Sequence, residues 1–297
     1  MARFRHLKAV IVAVSMAFAT MSSQAAVAQS LYGVNPFSND SSALSANGLF
    51  HLDYNTGAVT DGRVVTVPGR TVTGLNALTR DPTTGTIYAV AKANAVAGRL
   101  LITVNVATGI AAEIGNLGDN FSSLAFRGDG QLFGVTGDGA TVPETLYLIN
   151  KADATKAVAT ALGNGADGEV IAYNPDDNSF YHWSGGTIVF ERVLAVAPYT
   201  VTNIGITGSP NGEVFGAVWD PARGQFLVHN ISSSMDFWTA SGLRSSAQLA
   251  TIQDVRGLAL VPSAAAVPTL SEWAMIAFAV LLAAGAAMAA HRRRLAT

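Results

Sequence analysis

Residues 76–90 read NALTRDPTTGTIYAV, and this stretch decides the fold because the chain repeats it. Two strand-like apolar runs flank an Asp-Pro turn, as a tight β-hairpin requires. Related stretches follow at 122–135 (SSLAFRGDGQLFGV), 169–183 (EVIAYNPDDNSFYHW), 215–229 (FGAVWDPARGQFLVH) and 256–262 (RGLALVP). Their anchor residues are spaced by 46, 47, 46 and 41 positions: Leu78, Leu124, Ile171, Ala217 and Leu258. The sequence therefore predicts a fold built from one repeated unit.

Each unit has room for two more strands. A third strand is predicted at 100–105 (LLITVN) and at 145–150 (TLYLIN), and a fourth near 111–115 (AAEIG). Four short strands in about 46 residues are typical of a β-propeller blade.

The two ends of the repeat region predict the number of blades. Leu258 begins a blade whose later strands are missing, whereas 30–34 (SLYGV) and 48–53 (GLFHLD) resemble second and third strands. Pairing these ends predicts an all-β, five-bladed propeller over residues 29–262, closed by N- and C-terminal strands. The alternative, four full blades flanked by two half-blades in an open array, leaves two exposed sheet edges. The region resembles YVTN-like and quinoprotein-like propellers, a likeness of architecture that carries no activity with it.

The N-terminus has the pattern of a secretory signal. Arg3, Arg5 and Lys8 precede an apolar run, and Ala26-Val27-Ala28 forms an A-x-A cleavage site. We expect residues 1–28 to be a signal peptide that signal peptidase removes after export by the Sec machinery. The alternative is an uncleaved anchor, for which the apolar run is short.

The C-terminus combines an apolar run with a basic end. Residues 273–290 hold 18 residues without a charge, a length that just spans a hydrocarbon core as a helix. Residues 291–294 form the basic tail, in which Arg292, Arg293 and Arg294 supply the positive flank that stays in the cytoplasm. This order predicts a transmembrane helix, preceded by a short linker at 263–266.

A polar motif stands directly before that helix. It comprises Val267, Pro268, Thr269, Leu270, Ser271, Glu272 and Trp273. The segment 267–297 resembles the IPTL-CTERM sorting signal, a relative of the PEP-CTERM signals of Gram-negative bacteria, with Val267 and Ala274 departing from the usual Ile and Gly. The resemblance implies an exosortase-type sorting protease, cleavage near Pro268-Thr269 and delivery to the surface. The alternative is a plain anchor in which Pro268 ends the preceding chain and Trp273 lies at headgroup level.

Composition limits the partners of the propeller. The chain contains no cysteine, which excludes disulfides and thiolate chemistry. The net charge of −2 understates the acidity, because residues 29–266 carry 12 basic and 19 acidic side chains. Such a surface repels phosphate backbones, so we expect no nucleic-acid partner.

The channel of a propeller is lined by its inner strands, so the residues two places before each anchor are candidates for ligand binding. They are Asn76, Ser122, Glu169, Phe215 and Arg256. Glu169 and Arg256 could recognise a small polar ligand, or these polar groups could satisfy one another around a wet channel. One carboxylate opposite an arginine makes a poor cage for a hard cation, and we expect no metal and no cofactor.

The sequence gives only weak indications of other metal-binding or ligand-binding sites. His182 and His229 fall on opposite strand faces and are expected to be partly buried or exposed. The acidic stretch 174–178 (NPDDN) is interpreted as a hairpin turn, since it lacks the ligand spacing of a calcium loop. The aromatic residues Trp183, Trp219, Trp238, Tyr181 and Phe237 are expected to fill the core between blades, although they could form a sugar-binding platform.

Together these patterns predict an exported, non-enzymatic protein. The chain would pass through an inner-membrane intermediate, with its C-terminus in the cytoplasm, to the cell surface or the extracellular matrix. There the propeller would bind a ligand or polymer, with extracellular polysaccharide as a candidate. Two alternatives are a periplasmic propeller hydrolase of the lactonase type and a membrane-anchored scaffold whose tail is never cut.

Overall fold

Five four-stranded antiparallel sheets make up the domain that follows the N-terminal segment. The computed structural model describes residues 29–35, 47–165, 169–185, 189–207, 213–231, 233–245, 249–250, 254–263 and 270–295. The described chain forms two compact units, of which Gln29–Val261 is one. This unit is a five-bladed β-propeller.

Four blades are each built from one continuous stretch of chain. Blade 1 contains β4 (Val72–Arg80), β5 (Ile87–Ala93), β6 (Leu100–Val104) and β7 (Ala111–Asn116). Blade 2 contains β8 (Phe121–Phe126), β9 (Leu132–Thr136), β10 (Thr145–Ile149) and β11 (Lys156–Ala161). Blade 3 contains β12 (Val170–Asn174), β13 (Ser179–Ser184), β14 (Val189–Leu194) and β15 (Val201–Asn203). Blade 4 contains β16 (Val214–Asp220), β17 (Gln225–Asn230), β18 (Ser234–Trp238) and β19 (Leu249–Ala250).

The fifth sheet, here called the closing blade, joins both ends of the unit. Its strands are β1 (Gln29–Asn35), β2 (Gly48–Leu52), β3 (Val59–Val64) and β20 (Leu258–Pro262). The order β20-β1-β2-β3 places the C-terminal strand beside the N-terminal one. Backbone hydrogen bonds connect them, from Val34 N–H to Gly257 O (3.2 Å) and from Arg256 N–H to Val34 O (2.8 Å). The predicted closure by both chain ends is confirmed, and the open array is excluded.

The core lies between blades rather than at one centre. Five buried apolar clusters occur among the described residues, and each joins two neighbouring blades, the closing blade with blade 1 included. Exposure is lowest toward the inside of each blade: the second strands β9 and β13 are buried along their whole length, whereas every residue of the outermost strands β3 and β11 is exposed or half-buried. This gradient is what blade-on-blade packing produces, because both faces of an inner strand meet a neighbour.

A separate α-helix, α1 (Leu270–Leu295), follows the propeller in sequence. Arg292, Arg293 and Arg294 lie in its last turn and are exposed. In the part of the chain that the structure describes, no helix is both long enough and apolar enough to span a bilayer. The transmembrane helix predicted at 273–290 is therefore not confirmed.

Candidate functional site

One polar cavity of about 260 Å³ lies where the innermost strands begin. Ten residues line it: Asn76, Arg99, Asn120, Ser122, Gly137, Asp138, Glu169, Glu213, Phe215 and Arg256. All five positions that the repeat predicted for the channel are among them. They meet because each precedes its anchor by the same interval, so the repeat places them at the same end of neighbouring inner strands.

Two arginines, Arg99 and Arg256, line this cavity. Arg256 donates from Nε to Asp254 Oδ1 (2.6 Å), and its guanidinium stands 4.2 Å from the centre of the Phe215 ring. Arg99 donates from Nε to Asn120 Oδ1 (2.9 Å). Burial, together with the charge of Arg256, lowers the pKa of Arg99. The positive charges of Arg99 and Arg256 therefore repel each other. A negatively charged or strongly polar ligand in the cavity would offset this repulsion.

Glu169 also lines the cavity. Its side chain is almost fully buried, with 3% of its surface exposed. Ser184 Oγ donates to Glu169 Oε1 (3.3 Å), and the backbone N–H of Asp138 donates to Oε2 (3.4 Å). Gly137 permits this approach, since a Cβ at that position would lie 2.5 Å from Oε2. Glu169 is therefore fixed by the loop that follows β9.

Two further carboxylates gather beside Glu169. Asp138, Glu144 and Glu169 each offer an oxygen, and these three oxygens lie within 4.8 Å of one another. Glu144 is 4% exposed, and its polar neighbours are Glu169 and Ser184, although no donor among the described residues forms a well-aligned hydrogen bond with either of its carboxylate oxygens. Burial, and after it the charge of Glu169, raises the pKa of Glu144. Burial also raises the pKa of Glu169.

This cluster corrects the expectation that the channel offers a cation only one carboxylate. Asp138 and Glu144 were missed because they lie in the β9–β10 loop, 137–144 (GDGATVPE), and not at the repeated position. A signal was present: the loop between the second and third strands of a blade returns to the end where its first strand begins. Two acids in that loop of blade 2 therefore come close to the channel residue of blade 3.

The histidines are placed differently from the expectation. His182 and His229 are both fully buried, so the prediction of partly buried or exposed side chains is wrong. His182 Nδ1 lies 3.2 Å from Glu191 Oε2, within blade 3. The predicted turn at 174–178 does connect β12 and β13, with Asp176 N–H donating to Asn174 Oδ1 (2.9 Å).

The aromatic residues fill the core, as expected. Trp183, Trp219, Trp238 and Tyr181 belong to the buried cluster between blades 3 and 4, and Phe237 packs at the next interface. Trp183 and Trp238 meet edge to face, with ring centres 6.3 Å apart. These side chains do not form an exposed sugar-binding platform.

The sites predicted at the chain ends fall largely outside the described residues. The signal peptide, with Ala26 and Ala28, lies there, as do Val267, Pro268 and Thr269. Leu270, Ser271, Glu272 and Trp273 begin the helix α1.

Comparison with known proteins identifies the C-terminal segment. Residues 265–294 match the IPTL-CTERM motif. The sorting signal that the sequence resembles is thus present, and it suggests an exported protein that a sorting system handles. A search of curated proteins finds no match.

Among solved structures, several chains align with this one at low sequence identity. A chain of a nidogen/laminin complex aligns with a TM-score of 0.48 and 9% identity, covering 78% of this chain and 98% of that one. TolB from Acinetobacter baumannii aligns with a TM-score of 0.47 and 12% identity, covering 79% and 66%. An auxiliary nutrient binding protein from Bacteroides thetaiotaomicron aligns with a TM-score of 0.47 and 9% identity, covering 72% and 58%. At these identities the likenesses do not extend to function.

Proposed function

We propose that this protein is exported, sorted through its C-terminal segment by an exosortase-type protease, and displayed at the cell surface or in the extracellular matrix. The observation that carries this proposal is the IPTL-CTERM match at 265–294. It is supported by the signal-like N-terminus, in which basic residues, an apolar run and an A-x-A site follow one another.

Sorting is tested by changing the cleavage region. The double substitution Pro268→Ala, Thr269→Ala is expected to leave the C-terminal segment attached and to keep the protein in the cell fraction. The matched control is Pro262→Ala, Ser263→Ala, which alters an equivalent Pro-Ser pair just outside the motif. Fractionation and immunoblotting give the readout. Equal release of both double variants would contradict the proposal.

We further propose that the propeller binds a polar ligand without converting it. The channel cavity supports this, because it brings two guanidinium groups and several carboxylates and amides to one small pocket. A cavity of this size admits a single small polar group, such as a sugar unit of an extracellular polysaccharide. The ligand would be recognised by hydrogen bonds and charge, since the tryptophans of blades 3 and 4 are buried.

Ligand binding is tested with fluorescently labelled polysaccharide isolated from the matrix of the producing cells. Arg256→Gln is expected to weaken binding about tenfold, because an unpaired polar group in the site costs roughly 1–3 kcal/mol. Arg70→Gln is the control, because Arg70 pairs with Glu113 on the outer strand β7. Equal loss in both variants, or no loss in Arg256→Gln, would contradict a role for the channel.

A second candidate is a periplasmic propeller hydrolase of the lactonase type. The observation that favours it is the cluster of three carboxylates beside the channel, since such hydrolases need a divalent cation. It would be established if the full-length protein opened simple lactones in the presence of Ca²⁺ and if Glu169→Gln abolished that turnover. Binding of polysaccharide without any turnover supports the non-enzymatic proposal.

A further inference from the structure

We propose that Asp138, Glu144 and Glu169 bind one calcium ion at the mouth of the propeller channel. Ca²⁺ binds carboxylate oxygens at about 2.3–2.6 Å, so two ligands on opposite sides of the ion are about 5 Å apart. The three oxygens of this cluster lie within 4.8 Å of one another, a spread that one such ion can fill. Three carboxylates supply between three and six oxygens, and water from the cavity completes the coordination.

The state of Glu144 independently indicates a missing ligand. Its carboxyl group is buried at 4% exposure, and within the described chain its polar neighbours, Glu169 and Ser184, leave both oxygens without a well-aligned donor. Burying a carboxylate without a partner costs several kcal/mol, which is why buried charges in proteins are paired or bind metals. A cation between Glu144 and Glu169 supplies the missing partner for the first and offsets the repulsion between both.

The backbone holds Glu144 in place. Its N–H donates to Thr136 O (3.1 Å), and its carbonyl accepts from Leu162 N–H (2.8 Å). Glu144 directly precedes β10, and Glu169 directly precedes β12. Two of the three proposed ligands are therefore fixed to the starts of strands, which keeps their separation constant without a metal.

Asp138 is the third ligand and comes from the loop after β9. Its own N–H donates to Glu169 Oε2 (3.4 Å), so the loop is already oriented toward the cluster. Asn120 Nδ2 donates to Asp138 O (2.5 Å), and Thr141 N–H donates to Asp119 Oδ1 (2.9 Å), which fixes the loop on both sides. The side chain of Asp138 remains exposed and gives the ion a path from solvent.

The cations of the cavity do not occupy this place. Arg256 donates to Asp254 and stacks on Phe215, and Arg99 donates to Asn120. These partners of the two guanidinium groups lie outside the three-carboxylate cluster. A bound calcium would thus link blade 2 to blade 3 and present its remaining coordination positions to the channel.

Calcium titration of the full-length protein tests this site. The protein is treated with EGTA, exchanged into metal-free buffer and titrated with CaCl₂ by calorimetry, and its Tm is followed by circular dichroism. We expect one Ca²⁺ per chain and a Tm that rises with Ca²⁺ concentration, because the ion binds only the folded state. KCl at the same ionic strength is expected to leave the Tm unchanged.

Three variants locate the site. Glu144→Gln and Asp138→Asn are each expected to weaken Ca²⁺ binding about tenfold or more, since affinity follows the charge count of the ligands. Glu213→Gln removes a carboxylate from the same cavity but outside the cluster, and is expected to bind one Ca²⁺ as the natural protein does. Without Ca²⁺, Glu144→Gln is expected to have a Tm no lower than that of the natural protein, because a buried carboxyl is removed from beside the carboxylate of Glu169. If Glu144 only stabilised the fold, Glu144→Gln would instead lower the Tm both with and without Ca²⁺.

Several results would overturn the proposal. One is the absence of heat and of any Tm change up to about 10 mM CaCl₂, well above the dissociation constants of weak extracellular calcium sites. Another is unchanged binding in Asp138→Asn, a variant whose exposed side chain cannot prevent folding. A third is loss of binding in Glu213→Gln with none in Glu144→Gln.

Discussion

At the scale of single residues, one turn recurs around the propeller. Among the described residues, nine Asp or Asn side chains accept the N–H of the residue two positions later, as in Asp81 with Thr83 (2.8 Å), and six of these turns share a further feature. The six are Asp53, Asp81, Asn105, Asn150, Asn174 and Asp220. Four residues after each comes a backbone with positive φ: Gly57, Gly85, Gly109, Ala154, Asn178 and Gly224. This Asx turn with a left-handed fourth residue explains the Asp, Asn and Gly content of the repeat.

The left-handed residue gives a first prediction. Gly224 has φ +61° and open space around it, so Gly224→Ala is expected to cost about 1 kcal/mol from backbone strain alone. Gly109 has φ +75°, and a Cβ there would lie 2.6 Å from Val64 O, so Gly109→Ala is expected to cost roughly 2–3 kcal/mol. Urea unfolding measures both. Equal costs would contradict the close approach at Gly109.

Asp81 gives a second prediction, on pH. Its side chain is fully buried and accepts hydrogen bonds from Lys151 Nζ (2.5 Å) and from Thr83. Burial alone would raise the pKa of Asp81, but these hydrogen bonds outweigh it and hold the pKa well below its ordinary value. A lowered folded pKa stabilises the protein above the unfolded pKa, near 4, and this stabilisation is lost as pH falls below it.

Asp81→Asn therefore has a pH-dependent effect. The variant keeps the turn, since Asn serves at three equivalent positions, but loses the charged contact with Lys151. We expect a cost of about 1–3 kcal/mol at pH 7 that shrinks below about pH 4. Urea unfolding at several pH values measures it. Asp129→Asn, which breaks a more exposed pair with Arg127, is the control and is expected to change stability by less than about 1 kcal/mol. A cost that does not vary with pH would contradict the assignment.

At the scale of elements, the closing strand β20 decides whether the ring is complete. It lies beside β1, and Leu258 and Ala259 belong to the clusters that join the closing blade to blades 4 and 1. Without β20, β1 becomes an unpaired inner edge and two of the five interfaces lose buried side chains. An open edge of this kind favours association with other chains.

Truncation tests this closure. A chain ending after Ser263 keeps β20 and is expected to unfold cooperatively, as the longer protein does. A chain ending after Gln253 lacks β20 and is expected to be unfolded or aggregated, although it is only ten residues shorter. Circular dichroism and gel filtration distinguish the two. A soluble, cooperatively unfolding shorter chain would show that the ring does not depend on β20.

The elements also show what a single sequence can predict here. Strand positions, blade number and closure followed from turn residues and apolar runs, which are local and repeat at a near-constant interval. The role of Asp138 and Glu144 could not be predicted in this way, because both residues lie in the β9–β10 loop of blade 2. The repeat does not specify the residues of that loop. The burial of His182 and His229 was also not predicted. The alternation of side chains along a strand shows to which face each one points, but it does not show that neighbouring blades cover both faces of a second strand.

At the scale of the whole molecule, the propeller and the segment after it differ in composition and in motif content. The propeller is acidic, free of cysteine and built around a polar channel, whereas the segment after it carries a sorting motif. The acidity argues against nucleic acid and suits binding of cations. Export and sorting would place the calcium site in a compartment where weak extracellular-type sites are used.

The intact mass of the mature protein tests the central proposal, export followed by C-terminal sorting, most directly. The protein is purified from producing cells and from matched cells that lack the sorting protease. We expect the first mass to correspond to a chain that begins at Gln29 and ends near Pro268, and the second to retain residues 269–297. Recovery of the complete 297-residue chain from the cytosol of both strains would contradict the account.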